Sequence, residues 1–178
     1  MPPFLSAEIA PSFDHPLEML RACHGKILRQ CDTLQKLADH LLSHGCDTQA
    51  QQAAQGILRY FDTAGKLHHQ DEEQDLFPSL RASAGSEKQR VDELLARLLS
   101  EHVEMLAAWD DLQPVLALLA DGQLAKLRKD TMERFVVSHT RHVALENTEL
   151  LPLAARLLDS RRLEAMGRNM AGRRGIRD

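Results

Sequence analysis

The sequence predicts an all-α protein, an antiparallel up-down-up-down four-helix bundle with a short C-terminal basic tail. Leu and Ala supply 51 of the 178 residues, whereas the β-branched residues Val, Ile and Thr supply only 16. This imbalance favours helices, because branched side chains lose rotamer freedom in a helix and fit strands better. Apolar residues recur at spacings of three and four along four long segments, and short turns connect these segments.

The first two helices are predicted from their ends. The first begins near Pro16, since proline is tolerated in a first turn, and ends at Gly45. The second runs from about Asp47 to Gly85. Pro78 lies inside it and predicts a kink or local break, because proline removes a backbone donor.

The last two helices are also predicted from their ends. Ser86 and Gln89 form a capping-box pattern that predicts the start of the third helix. Residues 121–122, Asp-Gly, predict the next turn. The fourth helix is then predicted from about Gln123 to Leu158.

These helices divide the chain into three parts. Residues 1–13 contain three prolines and predict an irregular arm, residues 14–158 form the bundle, and residues 159–178 form the tail. The tail carries six Arg and three acidic residues. Two interpretations of it stay open: a partly ordered, solvated end, or a segment that docks on a protein partner or an anion.

Composition excludes several classes of protein. No apolar run approaches the roughly 20 residues that span a bilayer, and the N-terminus has no signal-peptide pattern. The three cysteines show no CxxC spacing, which indicates reduced thiols in a cytoplasmic protein. The net charge of −4 argues against a general nucleic-acid surface.

An internal repeat contains the candidate functional residues. Segments 68–78 and 142–152, 74 residues apart, both read His-x3-Glu followed by five residues and Pro. Upstream, His24 and His102 each precede a Leu by four positions, at an offset of 78 residues. The chain therefore resembles two helical hairpins, each with one His and one His-x3-Glu pair.

The repeat predicts one shared site. In each hairpin the two histidines lie about 20 residues either side of the turn, so the rise of 1.5 Å per residue places them at one height. A spacing of four puts the His and Glu of each pair on one helix face. One buried His is usually a hydrogen-bonded core residue, but six such groups at one height predict a metal site: His24, His68, Glu72, His102, His142 and Glu146.

The ligand count favours two metal ions over one. Imidazole and carboxylate suit iron, manganese or zinc. We expect His24 and His68 on one metal and His102 and His142 on the other, with Glu72 and Glu146 as bridges. A bridging oxygen would make each metal five-coordinate and leave room for an external ligand.

The chain resembles the hemerythrin-like family, the HHE cation-binding domains, over residues 14–158. The resemblance rests on the six residues above, the Leu-Phe-Pro at 76–78 and the Leu-Pro at 151–152. It implies a non-haem di-iron centre, oxo- or hydroxo-bridged, in a four-helix bundle. Ferritin-like bundles use Glu-x2-His pairs instead, so they fit this sequence less well.

The sequence departs from the oxygen-carrying members of that family. Those have His-x3-His on the third helix, where this chain has Leu106 four positions after His102. They also end with His-x4-Asp, whereas this chain has His-x3-Glu. The four-His, two-Glu set is more similar to bacterial members implicated in nitric oxide handling, oxygen sensing or repair of iron-sulfur centres. The absence of cysteine from residues 1–13 weakens the repair role.

These observations predict a cytoplasmic di-iron protein that binds or senses oxygen, nitric oxide or peroxide, or acts in an iron or redox stress response. The alternative is a non-enzymatic, metal-responsive module whose basic tail contacts a partner. His139 shares the face of His142 and is interpreted as a fifth His ligand or a supporting core residue. His69 and Glu73 are expected on a solvated face. A water-poor lining is expected from Leu28, Phe61, Leu106 and Phe135.

Overall fold

The computed structural model describes residues 12–176, which contain five helices and no strand. Helix α1 is Pro16–His44, α2 spans 48–83, α3 is Lys88–Ala120, α4 spans 129–157, and α5 is Ser160–Arg173. Among the first four helices, α1 and α3 each contact both α2 and α4. The chain is thus an all-helical bundle, as predicted, and its up-down-up-down direction stays a prediction.

Local chemistry explains most helix ends. Pro16 occupies the first turn of α1, and Gly45 follows that helix with φ +69°, a conformation that glycine adopts without strain. Asp47 caps α2 by accepting a hydrogen bond from the backbone N–H of Ala50 at 2.9 Å. Gly122, with φ +75°, makes the predicted turn after α3.

The predicted capping box is wrong. Ser86 lies inside a short 3₁₀ turn, Gly85–Glu87, and α3 begins at Lys88 with no side-chain cap. The Gln89 side chain donates forward to Glu93 at 2.9 Å instead of capping the helix start.

The fourth helix begins later than predicted, at Lys129 rather than near Gln123. Residues 123–128 are irregular, and Arg128 is extended with ψ 132°. Ala125 and Leu127 still pack against the core from this segment. These apolar residues therefore reach the core from a loop and not from the first turns of a helix.

Pro78 does not break α2. A π-helical turn, Glu72–Leu76, precedes it, and α-helix resumes over Phe77–Ser83. In α4 the same arrangement recurs, with a π turn at Glu146–Leu150 before the α-helical segment Leu151–Leu157, which carries Pro152. The π turns let each helix continue past a residue that lacks a backbone donor.

The C-terminal segment is an ordered helix rather than a partly ordered, solvated end. Asp159 caps α5 by accepting from the backbone N–H of Arg162 at 2.8 Å. Met166 and Met170 are buried against the bundle. Arg173 donates to Asp71 at 2.8 Å and to Asp75 at 2.5 Å. Arg173 and Arg174 thus form ion pairs with α2, which sequence periodicity does not reveal.

Two apolar clusters fill the bundle on either side of a polar level. Along α1, His24 lies between Leu20 of one cluster and Ile27 of the other. Along α3, His102 likewise lies between Leu98 and Ala108. The predicted arm, residues 1–13, falls outside the described residues except for Ser12 and Phe13, which form a turn into α1.

Helix α5 passes so close to the start of α1 that it requires glycine. A Cβ on Gly167 would overlap the carbonyl oxygen of Phe13. We expect Gly167→Ala to lower the free energy of unfolding by about 1–3 kcal/mol, measured by urea denaturation, because the helix must shift outward. Gly172→Ala is the matched control, since a Cβ there meets no atom within 4 Å. Equal stability of the two variants would contradict the docking described above.

Candidate metal centre

The six predicted residues meet in the middle of the bundle. His24 comes from α1, His68 and Glu72 from α2, His102 from α3, and His142 and Glu146 from α4. All six are buried, with at most 5% of each residue exposed. Four helices therefore supply one cluster, at the level between the two apolar cores.

Each glutamate lies close to histidines of both hairpins. Glu72 Oε1 is 3.2 Å from His68 Nε2, and its Oε2 is 3.4 Å from His102 Nε2. Glu146 Oε2 is 3.0 Å from His24 Nε2, and its Oε1 is 3.2 Å from His142 Nε2. A carboxylate whose two oxygens face opposite sides is suited to bridging two cations.

The π turns determine where both glutamates sit. The backbone carbonyl of Glu72 accepts from the N–H of Phe77, and that of Glu146 accepts from Leu151, both five residues on. Such turns widen a helix locally and are frequent at functional sites. The repeated Glu, five residues, Pro pattern therefore encodes the same distortion twice.

Three of the four histidines are oriented by polar side chains behind them. His102 Nδ1–H donates to Glu73 at 2.6 Å, and His142 Nδ1–H donates to Glu101 at 2.9 Å. His24 Nδ1–H donates to the Asn147 amide oxygen at 2.8 Å. These contacts place a proton on Nδ1 and leave Nε2 to the cluster, as in protein sites where a metal binds Nε2.

The inner atoms of the cluster require cations. Both carboxylate oxygens of Glu72 and Glu146, and Nε2 of His24 and His68, are buried without a hydrogen-bond partner among the described residues. The Nε2 atoms of His102 and His142 lie 3.0 Å apart, which sets two lone pairs against each other unless a cation lies nearby. The ligating atoms lie in two groups, and within each group all are within 4.8 Å of one another. The residues present therefore fit bound metal.

The carboxylates make the electrostatic potential at this level of the bundle negative. Burial opposes a charge on His24, but the attraction of the Glu146 and Glu72 carboxylates outweighs this cost and raises the pKa of His24 to about 10. Burial also opposes a charge on His102, but the Glu72 and Glu73 carboxylates outweigh this cost and raise the pKa of His102 to about 9. Glu72 is itself held well below its usual pKa, because His68 and His102 outweigh the cost of its burial. A field that favours protons on imidazoles equally favours a metal cation.

His69 joins the site, although a solvated face was expected for it. Its ring stacks on His102 at a centroid distance of 4.1 Å. It forms the second group of candidate ligands with Glu72, His102 and His142, while the first group is His24, His68, Glu72 and Glu146. Burial and the nearby His102 hold its pKa well below the ordinary value, so the ring is neutral and able to bind metal. Because α2 contacts both α1 and α3, the residue one step round from His68 faces α3.

Three polar residues orient the histidines, and the sequence pattern did not predict this role. Glu101 is buried, Asn147 is partly buried, and Glu73 is 43% exposed on its side chain. Glu73 and Asn147 each directly follow a glutamate of the cluster, and Glu101 directly precedes His102. That adjacency to the repeat was the available signal.

His139 lies outside both groups of candidate ligands. Its Nδ1–H donates to the Phe135 carbonyl at 2.8 Å, and its ring contacts Phe135 and Phe61. Burial lowers its pKa to about 4, so the imidazole is neutral with a bare Nε2. Phe61 and Phe135 occupy equivalent positions of the repeat and meet edge to face at 4.9 Å.

A small cavity lies next to the cluster. Its volume is about 60 Å³, and its wall includes Phe61, Met105, Trp109, His69 and His139. The expected lining is correct for Phe61 and Leu106, which both line this cavity. Phe135 is buried against His139 and Leu28 is 37% exposed, and neither residue is part of the cavity wall.

Comparison with known proteins agrees with this geometry. The family model described as the hemerythrin HHE cation binding domain matches residues 15–154. The chain belongs to the hemerythrin HHE cation-binding family. A relative from Haemophilus influenzae, named only as an uncharacterized protein, is 35% identical over 167 residues, which cover 94% of each chain. Membership of the hemerythrin family indicates metal binding, and the His/Glu cluster is the candidate site for it.

Metal binding should stabilise this hemerythrin-family bundle. A metal that binds only the folded chain adds about 2.7 kcal/mol when its concentration is 100 times its dissociation constant. We therefore expect Fe²⁺ or Zn²⁺ to raise the thermal midpoint of metal-free protein. Glu146→Gln should lose most of this increase. An equal increase in wild type and variant would place the bound metal elsewhere.

Proposed function

We propose that this chain is a non-haem di-iron protein that binds or senses a small ligand such as oxygen, nitric oxide or peroxide. The observation that carries the proposal is the buried cluster of His and Glu side chains whose inner atoms lack hydrogen-bond partners. The spacing of those atoms in two groups that share Glu72 supports two metal ions over one.

In this proposal His24 and His68 would hold one iron, His102 and His142 would hold the other, and Glu72 and Glu146 would serve both. Iron, when bound, supplies reversible one-electron redox chemistry and open coordination positions. Manganese and zinc suit the same ligands. Because each of the six residues is at most 5% exposed, bulk water is kept from competing for the open coordination positions.

The cavity supports a ligand of diatomic or peroxide size. At about 60 Å³ it has room for only a few water-sized molecules. Most of its wall is aromatic or aliphatic, which favours weakly polar ligands over water, and its polar members are Lys66, His69 and His139. The bare Nε2 of His139 is one group that would accept a hydrogen bond from a ligand bearing an O–H.

We propose further that α1 to α4 alternate in direction and that the protein is cytoplasmic. An up-down-up-down direction of α1 to α4 would bring the two hairpins into the pseudo-twofold relation that the repeat predicts. None of the described helices is long and apolar enough to cross a membrane. The three cysteines are free thiols, which supports a cytoplasmic location.

A partner-binding role for the basic segment is less well supported. Arg173 and Arg174 pair with Asp71 and Asp75 of the same chain, so they are occupied. A protein partner at α5 would therefore be contacted through other residues, such as the exposed Arg161 and Arg168.

Iron content tests the assignment of the bridges. We expect wild-type protein purified aerobically from iron-rich medium to contain two irons per chain and to show charge-transfer absorption that changes on reduction. Glu72→Ala or Glu146→Ala should hold well below two irons, because each loses a bridging carboxylate. Glu149→Ala is the matched control, since Glu149 lies exposed in the same π turn as Glu146. Full iron loading in the Glu72 and Glu146 variants would refute the assigned site.

His139 separates metal binding from ligand binding. We expect His139→Ala to retain two irons, since its ring belongs to neither ligand group, but to bind peroxide more weakly because the cavity loses its acceptor. The measurement is iron content together with peroxide titration followed by absorbance. Loss of iron from His139→Ala would make it a ligand after all.

A further inference from the structure

The internal repeat pairs the residues around the site, and the pairs are not all alike. The offset of 74 residues relates Glu73 to Asn147 and His69 to Val143. The offset of 78 relates Glu101 to Cys23. The inner ligands of the two hairpins are therefore identical in type, while the residues behind them differ.

The half of the cluster at His102 and His142 is backed by negative charge. Both rings donate their Nδ1–H to carboxylates, those of Glu73 and Glu101. The other oxygen of Glu101 lies 3.2 Å from Arg97 and 3.4 Å from Arg141, which hold this carboxylate in place.

A third imidazole adds to this half. His69 stacks on His102 and lies within the same group of candidate ligands. Its counterpart in the repeat, Val143, is buried in the apolar core and has no metal-binding atom. The extra donor is therefore present on one side of the cluster alone.

The half at His24 and His68 has weaker support. His24 donates to the neutral amide of Asn147. Nδ1 of His68 is buried and has no hydrogen-bond partner within residues 12–176. The residue in the place of Glu101 is Cys23, a free cysteine with no carboxylate group.

An outer carboxylate strengthens a histidine ligand in two ways. It fixes the ring orientation, and it raises the basicity of the nitrogen that binds the metal. Loss of such a partner typically weakens metal binding by about 10–100-fold. We infer that the two metal positions are unequal, and that the position at His102 and His142 binds its ion at least about tenfold more tightly than the position at His24 and His68. This inference rests on the proposed two-metal site.

Calorimetric titration of the metal-free, full-length chain with Zn²⁺ tests it, because zinc adds no redox step. Wild type should show two binding steps of one ion each. His142→Gln should abolish the tighter step, whereas His24→Gln should abolish the weaker step and leave the tighter one.

The outer residues provide the matched variants. Glu101→Gln should weaken the tighter step by about 10–100-fold and leave the weaker step unchanged. Glu73→Gln should act in the same direction but less strongly, since its carboxylate is 43% exposed to solvent. Asn147→Asp should strengthen the weaker step, because it places a carboxylate behind His24. If Glu101→Gln does not fold by circular dichroism, Glu73→Gln and Asn147→Asp decide the question.

The outcomes separate this inference from the proposed function. Two steps of equal affinity, or weakening of the weaker step by the Glu variants, would overturn the inequality and leave the two-metal proposal standing. Binding of a single zinc ion, or of none, would overturn both.

Discussion

The structure depends on one electrostatic constraint, the burial of two carboxylates and four imidazoles with their inner atoms facing one another. A buried carboxylate without a partner is strongly unfavourable, and no lysine or arginine among residues 12–176 forms a salt bridge with Glu72 or Glu146, whose ion pairs are all with histidines. The cluster is therefore stable only with cations between its members, either protons or metal ions. The two apolar cores above and below it are what keep water from meeting this need.

The helices are adapted to that constraint in both hairpins. The π turns at Glu72 and Glu146 aim each carboxylate at the cluster while α2 and α4 continue past Pro78 and Pro152. Helix α5 adds a further contact, since Arg173 and Arg174 pair with Asp71, the residue directly before Glu72. The segment around Glu72 is thus also contacted by α5, whereas Leu145, the counterpart of Asp71 in the repeat, lies in an apolar cluster. The two halves of the repeat are identical in the six candidate ligands and differ around them.

The sequence predicted what helical periodicity determines. The six inner residues follow from two His-x3-Glu pairs and matched distances to the turns, because a regular rise converts position along the chain into height. The sequence did not predict that His69, Glu73, Glu101 and Asn147 lie at the cluster. The place of each depends on which neighbouring helix the residue faces. The course of residues 123–128 and the docking of α5 also escaped prediction, because loop-borne leucines resemble a helical pattern and arginines resemble a solvated surface until their aspartate partners are placed.

The most direct measurement of the central claim is X-ray absorption at the iron edge on the iron-loaded protein. Our account predicts a shell of nitrogen and oxygen ligands, multiple scattering from about two imidazoles per iron, no sulfur, and scattering from a second iron. A spectrum with sulfur ligands, or with no iron–iron scattering at full loading, would contradict a two-iron site built from these histidines and glutamates.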